Sequence, residues 1–385
     1  SGISQILEQI GRVVIGVGLA YFLFDMWIEY SAGGAAFGAA GGAFVAGIYL
    51  VLKYKRVKKE AGIKKVKTNT DLLNKILKIA IPISVGATVG TIMNLIDSIL
   101  VPQKLLESGV ENPTVLDGQL TGKAAVLVNI PLTLSMAICT SLIPIIAENY
   151  VLNKKEEMQN KINIALKLSA VIALPATLGI FCLSGPIMKL IFFDKYEGIE
   201  ILRYLSISIP FIIVTQTTTS VLQATNYYIR PVVNLIIGCI LKIILTAILV
   251  PIPKINIFGA VISSVASYML VTILNLISLK SKTKCNISVY DSFVKPGYAS
   301  VIMSVVVLFV YEFMMKKIAN NSISCLLSVF MGIIIYIISI LLFKVFDVND
   351  VKNRLVRKWY KESTINDKNS WIRARFTRCL NNRCC

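Results

Sequence analysis

Long apolar runs, separated by short polar or basic stretches, fill most of this chain. The stretches 79–101, 124–147, 231–253, 257–279 and 324–343 carry few or no charges. Each is long enough to cross a hydrocarbon core, which takes about 20 apolar residues. A surface helix of a water-soluble domain would show one apolar stripe instead. Taken together the runs predict spans near 3–24, 32–52, 76–101, 123–148, 162–183, 204–224, 231–252, 257–279, 297–315 and 323–344. The piece 186–203, opening Pro186-Ile-Met-Lys-Leu, is less apolar and predicts an interfacial segment. The pattern therefore predicts an all-α integral membrane protein of about ten transmembrane helices.

Composition agrees. Of 385 residues, 55% are apolar and 16% charged, against about 25% charged in soluble domains. The formal net charge is +19, a balance that would also suit nucleic acid. The distribution argues for topology instead. Segments 53–67, 150–161, 227–230, 280–295 and the tail from Lys344 carry 27 Lys and Arg, and the alternate connections carry 8. Cytoplasmic loops of membrane proteins concentrate basic residues, so the start of the chain and its tail are expected in the cytoplasm. The run Lys53-Tyr-Lys-Arg-Val-Lys-Lys reads as an anchor on anionic headgroups or as a topological signal alone. A bilayer with anionic headgroups is thus an expected partner, and nucleic acid is not.

Enzyme chemistry finds little support. There is no histidine, which removes His-based catalysis and the commonest zinc ligand. The eight cysteines show no metal-ligand spacing, and several fall in apolar runs, where Cys behaves as a small hydrophobe. No phosphate loop is present. The stretch Gly33-Gly-Ala-Ala-Phe-Gly-Ala-Ala-Gly-Gly42 lies inside an apolar run, where small residues allow close helix packing. No catalytic residue, cofactor or metal is expected.

The chain also repeats itself. Ala80-Ile-Pro-Ile-Ser-Val-Gly86 matches Ala173-Leu-Pro-Ala-Thr-Leu-Gly179, and Ile130-Pro131 with Thr140-Ser141 matches Ile209-Pro210 with Thr219-Ser220. Internal repeats are a usual architecture of secondary transporters. Proline inside a span frees a carbonyl and bends the helix. Pro82, Pro131, Pro175 and Pro210 are therefore either hinges or packing kinks.

Ionisable groups within spans are costly and mark function. Glu8 and Arg12 stand four residues apart on one helix face and can pair. Asp97 lies toward one end of its span, and Lys242 lies in the middle of another. The ammonium of Lys242 is too deep to snorkel to water and should face a cavity or a carboxylate. A cation in a central cavity would suit an anionic, phosphate-bearing substrate. Gln216 and the threonines at 215–219 form a polar face of span 204–224. Lys242, Arg12 and Gln216 are expected at the substrate cavity, and Asp97 and Glu8 in ion coupling or gating.

Ile3-Ser-Gln-Ile-Leu-Glu-Gln-Ile-Gly-Arg12, the glycine-rich run 33–42, the basic linker and Ile81-Pro82 with Asp97-Ser-Ile-Leu-Val-Pro102 resemble the stage V sporulation protein B family. Leu183-Ser-Gly-Pro-Ile-Met188, Ser220-Val-Leu-Gln-Ala224 and Lys242-Ile-Ile-Leu245 add to that resemblance, which covers residues 1 to about 345. That family sits in the polysaccharide-exporter branch of the multidrug/oligosaccharidyl-lipid/polysaccharide superfamily. The resemblance implies a fourteen-helix, MATE-like, two-lobe transporter, of which this chain supplies the helices from the fifth onward. The abrupt start at Ser1-Gly2 fits a piece whose upstream helices are missing.

On that map, residues 1–52 are the last two helices of the N-terminal lobe and 53–70 a basic cytoplasmic linker. Residues 71–280 are a six-helix C-terminal lobe with the helix-pair repeat, 281–345 two additional helices, and 346–385 a basic cytoplasmic tail. The implied activity is flipping a lipid-linked saccharide or peptidoglycan precursor across the bacterial cytoplasmic membrane, for spore cortex or envelope synthesis. A cation-coupled multidrug antiporter of the same fold is one alternative. A non-transporting scaffold that gathers cell-wall synthesis proteins is another.

Overall fold

The computed structural model describes residues 2–24, 28–60, 70–193, 195–283, 288 and 290–345, and the side chains of α3 mainly from Ile92 onward. The tail 346–385 lies outside the described residues. The described chain is helical, as the apolar runs predict. Nine helical stretches among the described residues are long and apolar enough to cross a membrane.

The chain divides into two compact units, Ser1–Asn74 and Lys75–Cys385. The first holds α1 (Gly2–Phe22) and α2 (Ile28–Glu60). These pack through glycine. A methyl group added at Gly38 would overlap Gly16 and come within 2.7 Å of the Arg12 carbonyl, and one at Gly42 would come within 2.8 Å of Arg12 N. Four-residue spacing puts both glycines on one helix face, so two backbones can touch. Gly33, in contrast, has nothing within 4 Å of that position. The helix α2 runs through the basic residues 53–60, the first part of the expected linker. Lys and Arg are good helix formers, and polarity alone does not end a helix.

The second unit takes in α3 (Thr70–Glu107) from Lys75 onward, followed by α4 (Pro113–Asp117) and a π-helical turn, Gly118–Ala124, that leads into α5 (Ala125–Val151). Then come α6 (Lys155–Phe192), the short α7 (Ile199–Leu205), a 3-10 turn at Ser206–Ser208, and α8 (Ile209–Ala224). The last four are α9 (Ile229–Leu249), α10 (Phe258–Thr283), α11 (Lys295–Ile318) and α12 (Asn321–Leu342). Its main apolar core joins Val101 and Leu105 of α3 to Leu127 and Val128 of α5, Leu202 of α7, Ile209 and Ile213 of α8 and Val261 of α10. A smaller cluster sets Met93 and Ile96 of α3 against Leu235 and Cys239 of α9 and Val271 of α10. Large apolar side chains also point outward, among them Ile236, Ile240, Ile244 and Ile248 of α9 and Phe330, Ile333 and Ile337 of α12. In water that surface would drive association; against lipid it is already solvated.

Helix ends and bends follow local chemistry. Asn320 caps α12, its side-chain oxygen accepting from the amides of Ser322 (3.0 Å) and Ile323 (3.3 Å). The piece 186–203 comprises the last turns of α6 and the separate α7. Within α6 the non-helical residue is Leu183 (φ −100°, ψ 19°), just ahead of Pro186, whose ring crowds the carbonyl of residue 182. Pro175 leaves the dihedral angles of α6 helical, so the bend sits at Pro186. Pro131 lies within α5. Pro210 stands in the first turn of α8, directly after the 3-10 turn, where its missing N–H costs no hydrogen bond. It begins a helix there and does not kink one. Pro82 lies within α3, and its side chain is outside the described ones.

Candidate functional site

On α9, Gly238 and Lys242 are one turn apart and share a face. On α3, Met93 and Asp97 have the same spacing. Gly238 has no side chain, which lets α3 and α10 come close: an added methyl would sit 3.0 Å from the Met93 terminal carbon and overlap Val271. One turn further on, Lys242 reaches across. Its ammonium donates to Asp97 Oδ2 at 2.7 Å and to the Met93 carbonyl at 3.0 Å. The two side chains are 2% and 13% exposed. An ion pair this deep is favourable only because each charge has a partner at hydrogen-bond distance; removing one leaves the other stranded. Asp97 Oδ1 has no partner among the described residues.

The pair borders a cavity of about 610 Å³. Helix α3 lines it with Asn94, Asp97 and Ser98, the π-helical turn with Thr121, and α5 with Asn129 and Cys139. Helix α10 adds Ser264 and Tyr268. The largest polar contribution comes from α8, through Thr215, Gln216, Thr219, Ser220 and Gln223. Those positions recur every three to four residues, which is one helical face. Hydroxyls of α8 are satisfied locally: Thr217, Thr218 and Ser220 donate to the carbonyls four residues earlier at 2.9, 2.7 and 2.9 Å. Such back-bonding lets hydroxyls sit in an apolar interior at little cost. Gln216 has no such recourse, and its Oε1 is buried without a partner.

Polar links tie the cavity walls together. Thr215 of α8 shares a hydrogen bond with Thr272 of α10 at 2.9 Å. Asn234 of α9 donates to Asn275 Oδ1 of α10 at 2.8 Å, and the Asn275 amide donates to Thr219 at 3.1 Å. These bonds join α8, α9 and α10 directly, whereas Lys242 joins α9 to α3.

The structure thus brings Lys242, Asp97 and Gln216 to one cavity. Glu8 and Arg12 lie in the other unit, where they pair with each other at 3.1 Å on α1, both partly exposed. Pro131 sits in a helix that walls the cavity, between Asn129 and the lining residue Leu132. Asn94, Asn129, Thr121 and Tyr268 were not singled out from sequence. For Asn94 and Asn129 the signal was present, since an amide within an apolar run is as unusual as a charge. Thr121 is presented by the π-helical turn, a feature frequent at functional sites that no apolar periodicity reveals.

The family model described as lipid II flippase MurJ matches residues 2–327. The membrane protein YabM of Bacillus subtilis (strain 168) is 30% identical over 290 residues, covering 73% of this chain and 54% of that protein. Stage V sporulation protein B of the same organism is 23% identical over 297 residues, covering 75% of this chain and 57% of its own length. The chain therefore spans about half the length of these relatives. Among solved structures, lipid II flippase MurJ in an inward closed conformation superposes with a TM-score of 0.62 at 19% identity, over 89% of this chain and 66% of that one. That likeness establishes a shared fold.

Proposed function

The chain belongs to the family of the lipid II flippase MurJ, and from that premise we propose that the whole protein flips a lipid-linked saccharide or peptidoglycan precursor across the bacterial cytoplasmic membrane. The observation that carries the reading is the polar cavity of about 610 Å³, walled by apolar helices and bordered by the buried Lys242–Asp97 pair. Such a cavity accepts a hydrophilic headgroup while the lipid tail stays in the bilayer. Alternating access supplies the route: the cavity opens to the cytoplasm, admits the headgroup, and reopens outward as helix bundles rock. Pro131 within α5 and Pro82 within α3 are the proposed points of bending, whereas Pro175 lies in regular helix and Pro210 starts one. Glu8 and Arg12 are the proposed gating pair of the first unit.

The excess of Lys and Arg in alternate loops supports a cytoplasmic start and tail. The likeness to stage V sporulation protein B supports a role in spore or envelope peptidoglycan, beside cell-wall synthesis proteins. An antiporter reading would need an open cavity carboxylate for its coupling cation. Asp97, the one carboxylate lining the cavity among the described residues, already holds Lys242.

The test is rescue. A bacterium depleted of its own precursor flippase should grow when the full-length protein is expressed. Continued lysis with the protein inserted and abundant overturns the proposal.

A further inference from the structure

We propose that a groove on the lipid-facing side of α10 holds one hydrocarbon chain of an anionic glycerophospholipid, and that Lys254 meets the phosphate of that lipid. The site is separate from the polar cavity and independent of the flippase reading.

The groove has a volume of about 440 Å³, and its lining includes Tyr204 of α7, Ile207 of the 3-10 turn, and Phe258, Ile262, Ala266 and Met269 of α10. On α10, Ile262, Met269, Ile273 and Ile277 are exposed and recur at helical spacing, whereas Ser264 and Tyr268 line the polar cavity. Ala266 interrupts that outward stripe of larger side chains, and the volume it leaves is part of the groove. Phe258 and Met269 stand eleven residues apart, which is about 16 Å of helix, so the groove is long enough for a stretch of chain. Its lining side chains are apolar apart from the Tyr204 hydroxyl. A void must offer water two to four polar partners to be wet, so hydrocarbon fills this one, and an empty groove would forfeit dispersion contacts along its wall. The ring of Tyr204 is fixed edge-on between Phe181 at 6.4 Å and Phe258 at 5.8 Å, and Tyr is a residue of the bilayer–water boundary.

Charge at the Phe258 end selects the lipid. The corner between α9 and α10 is pinned into the apolar core by Val250 and Ile257. Consecutive turns fold it, Ile255 N donating to the Ile252 carbonyl at 2.9 Å and Phe258 N to the Ile255 carbonyl at 3.1 Å. Pro251 and Pro253 restrict its backbone further. Lys254 is exposed on this corner, four residues before Phe258. Other cations near that end are engaged: Arg203 donates to Glu200 at 2.8 Å and to Ser184 at 3.3 Å, and Lys123 pairs with Glu197 at 3.2 Å. Among the described residues Lys254 has no carboxylate partner. A basic side chain at the membrane surface attracts anionic lipid, and a zwitterionic headgroup, which carries its own ammonium, gains less from it. An apolar groove with a lone ammonium at its end therefore matches a chain-bearing phosphate of net negative charge.

The experiment uses the full-length protein, purified in detergent, washed free of lipid and titrated with dioleoyl phosphatidylglycerol or dioleoyl phosphatidylcholine. Native mass spectrometry counts the lipids retained. One phosphatidylglycerol should be held at concentrations that leave phosphatidylcholine unbound. Lys254→Gln, on an exposed corner where folding is not at stake, should weaken phosphatidylglycerol about fivefold, the weight of one basic residue near an anionic surface. Ala266→Phe, which fills the groove, should remove the retained lipid, and Ile236→Phe, on the outward face of α9, should not. Equal retention of the two lipids, or phosphatidylglycerol binding unchanged by Lys254→Gln, overturns the headgroup assignment. Binding unchanged by Ala266→Phe, or lost equally in Ile236→Phe, overturns the groove. Displacement of phosphatidylglycerol by an equal concentration of a polyprenyl phosphate gives the groove to a polyprenyl chain and overturns the glycerophospholipid.

Discussion

Lys242 of α9 and Asp97 of α3, 145 residues apart in sequence, meet at 2.7 Å with both side chains almost fully removed from the surface. Among the described residues the pair ties α3 to α9, which is linked in turn to α8 and α10 by bonds between Thr, Asn and Ser side chains. Breaking a buried pair from one side costs about 3–5 kcal/mol, whereas exchanging both partners for apolar groups is close to neutral. Lys242→Met or Asp97→Leu alone should therefore lower stability by about that amount, and the double variant should recover to within about 1 kcal/mol of the parent. Equilibrium unfolding in detergent checks this. Additive losses in the double variant would mean the two groups are not coupled.

In the first unit, the contact between α1 and α2 depends on Gly38. Gly38→Leu should force the backbones apart and cost about 1–3 kcal/mol as overpacking, while Gly33→Ala, with open space around it, should leave thermal stability unchanged. Equal sensitivity at the two positions would contradict the described helix contact.

The amide pair Asn234–Asn275 should be worth less than its burial implies. Hydrogen bonds between membrane helices average about 0.6 kcal/mol and reach about 1.7. Asn275→Leu removes the bonds to Asn234 and Thr219 together and should cost about 1–3 kcal/mol, near twice that range. A loss below about 0.5 kcal/mol would place these bonds outside what holds the block together.

Ahead of α7, Lys123 spans from the π-helical turn to the Lys195 carbonyl and to Glu197, at 3.2 Å. Its own backbone amide first, then the Lys123 ammonium, hold the Glu197 carboxyl below the usual carboxylate range. A depressed acid contributes stability above its unfolded value and loses it as pH falls through the folded one. The protection factors of backbone amides around Glu197, with the intrinsic pH dependence of exchange divided out, should thus be flat near neutrality and fall only at acid pH, below about 4.3. Glu197→Gln should abolish that acid step. An unchanged step would assign it to another group.

Helix positions were legible because a run of about 20 apolar residues has few other uses. Helix extents were not, since α2 continues through 53–60 and α3 through Glu107 on propensity that hydropathy does not register. Lys242 stood out as a charge too deep for water, yet its partner could not be read from periodicity, because the pairing depends on Gly238 bringing α3 within reach. The bend at Leu183 shows a similar limit. Pro175 and Pro186 look alike in sequence, and only the packing of α6 decides which one deforms the helix.

The most direct measurement of the central claim is the amount of lipid-linked precursor exposed on the outer leaflet of flippase-depleted cells expressing the full-length protein. Exposure should be restored by the parent and lost when Ser220→Trp fills the cavity from α8, with the variant inserted at parental levels. Exposure unchanged by that substitution, or absent with abundant parent protein in the membrane, would contradict a substrate path through this cavity.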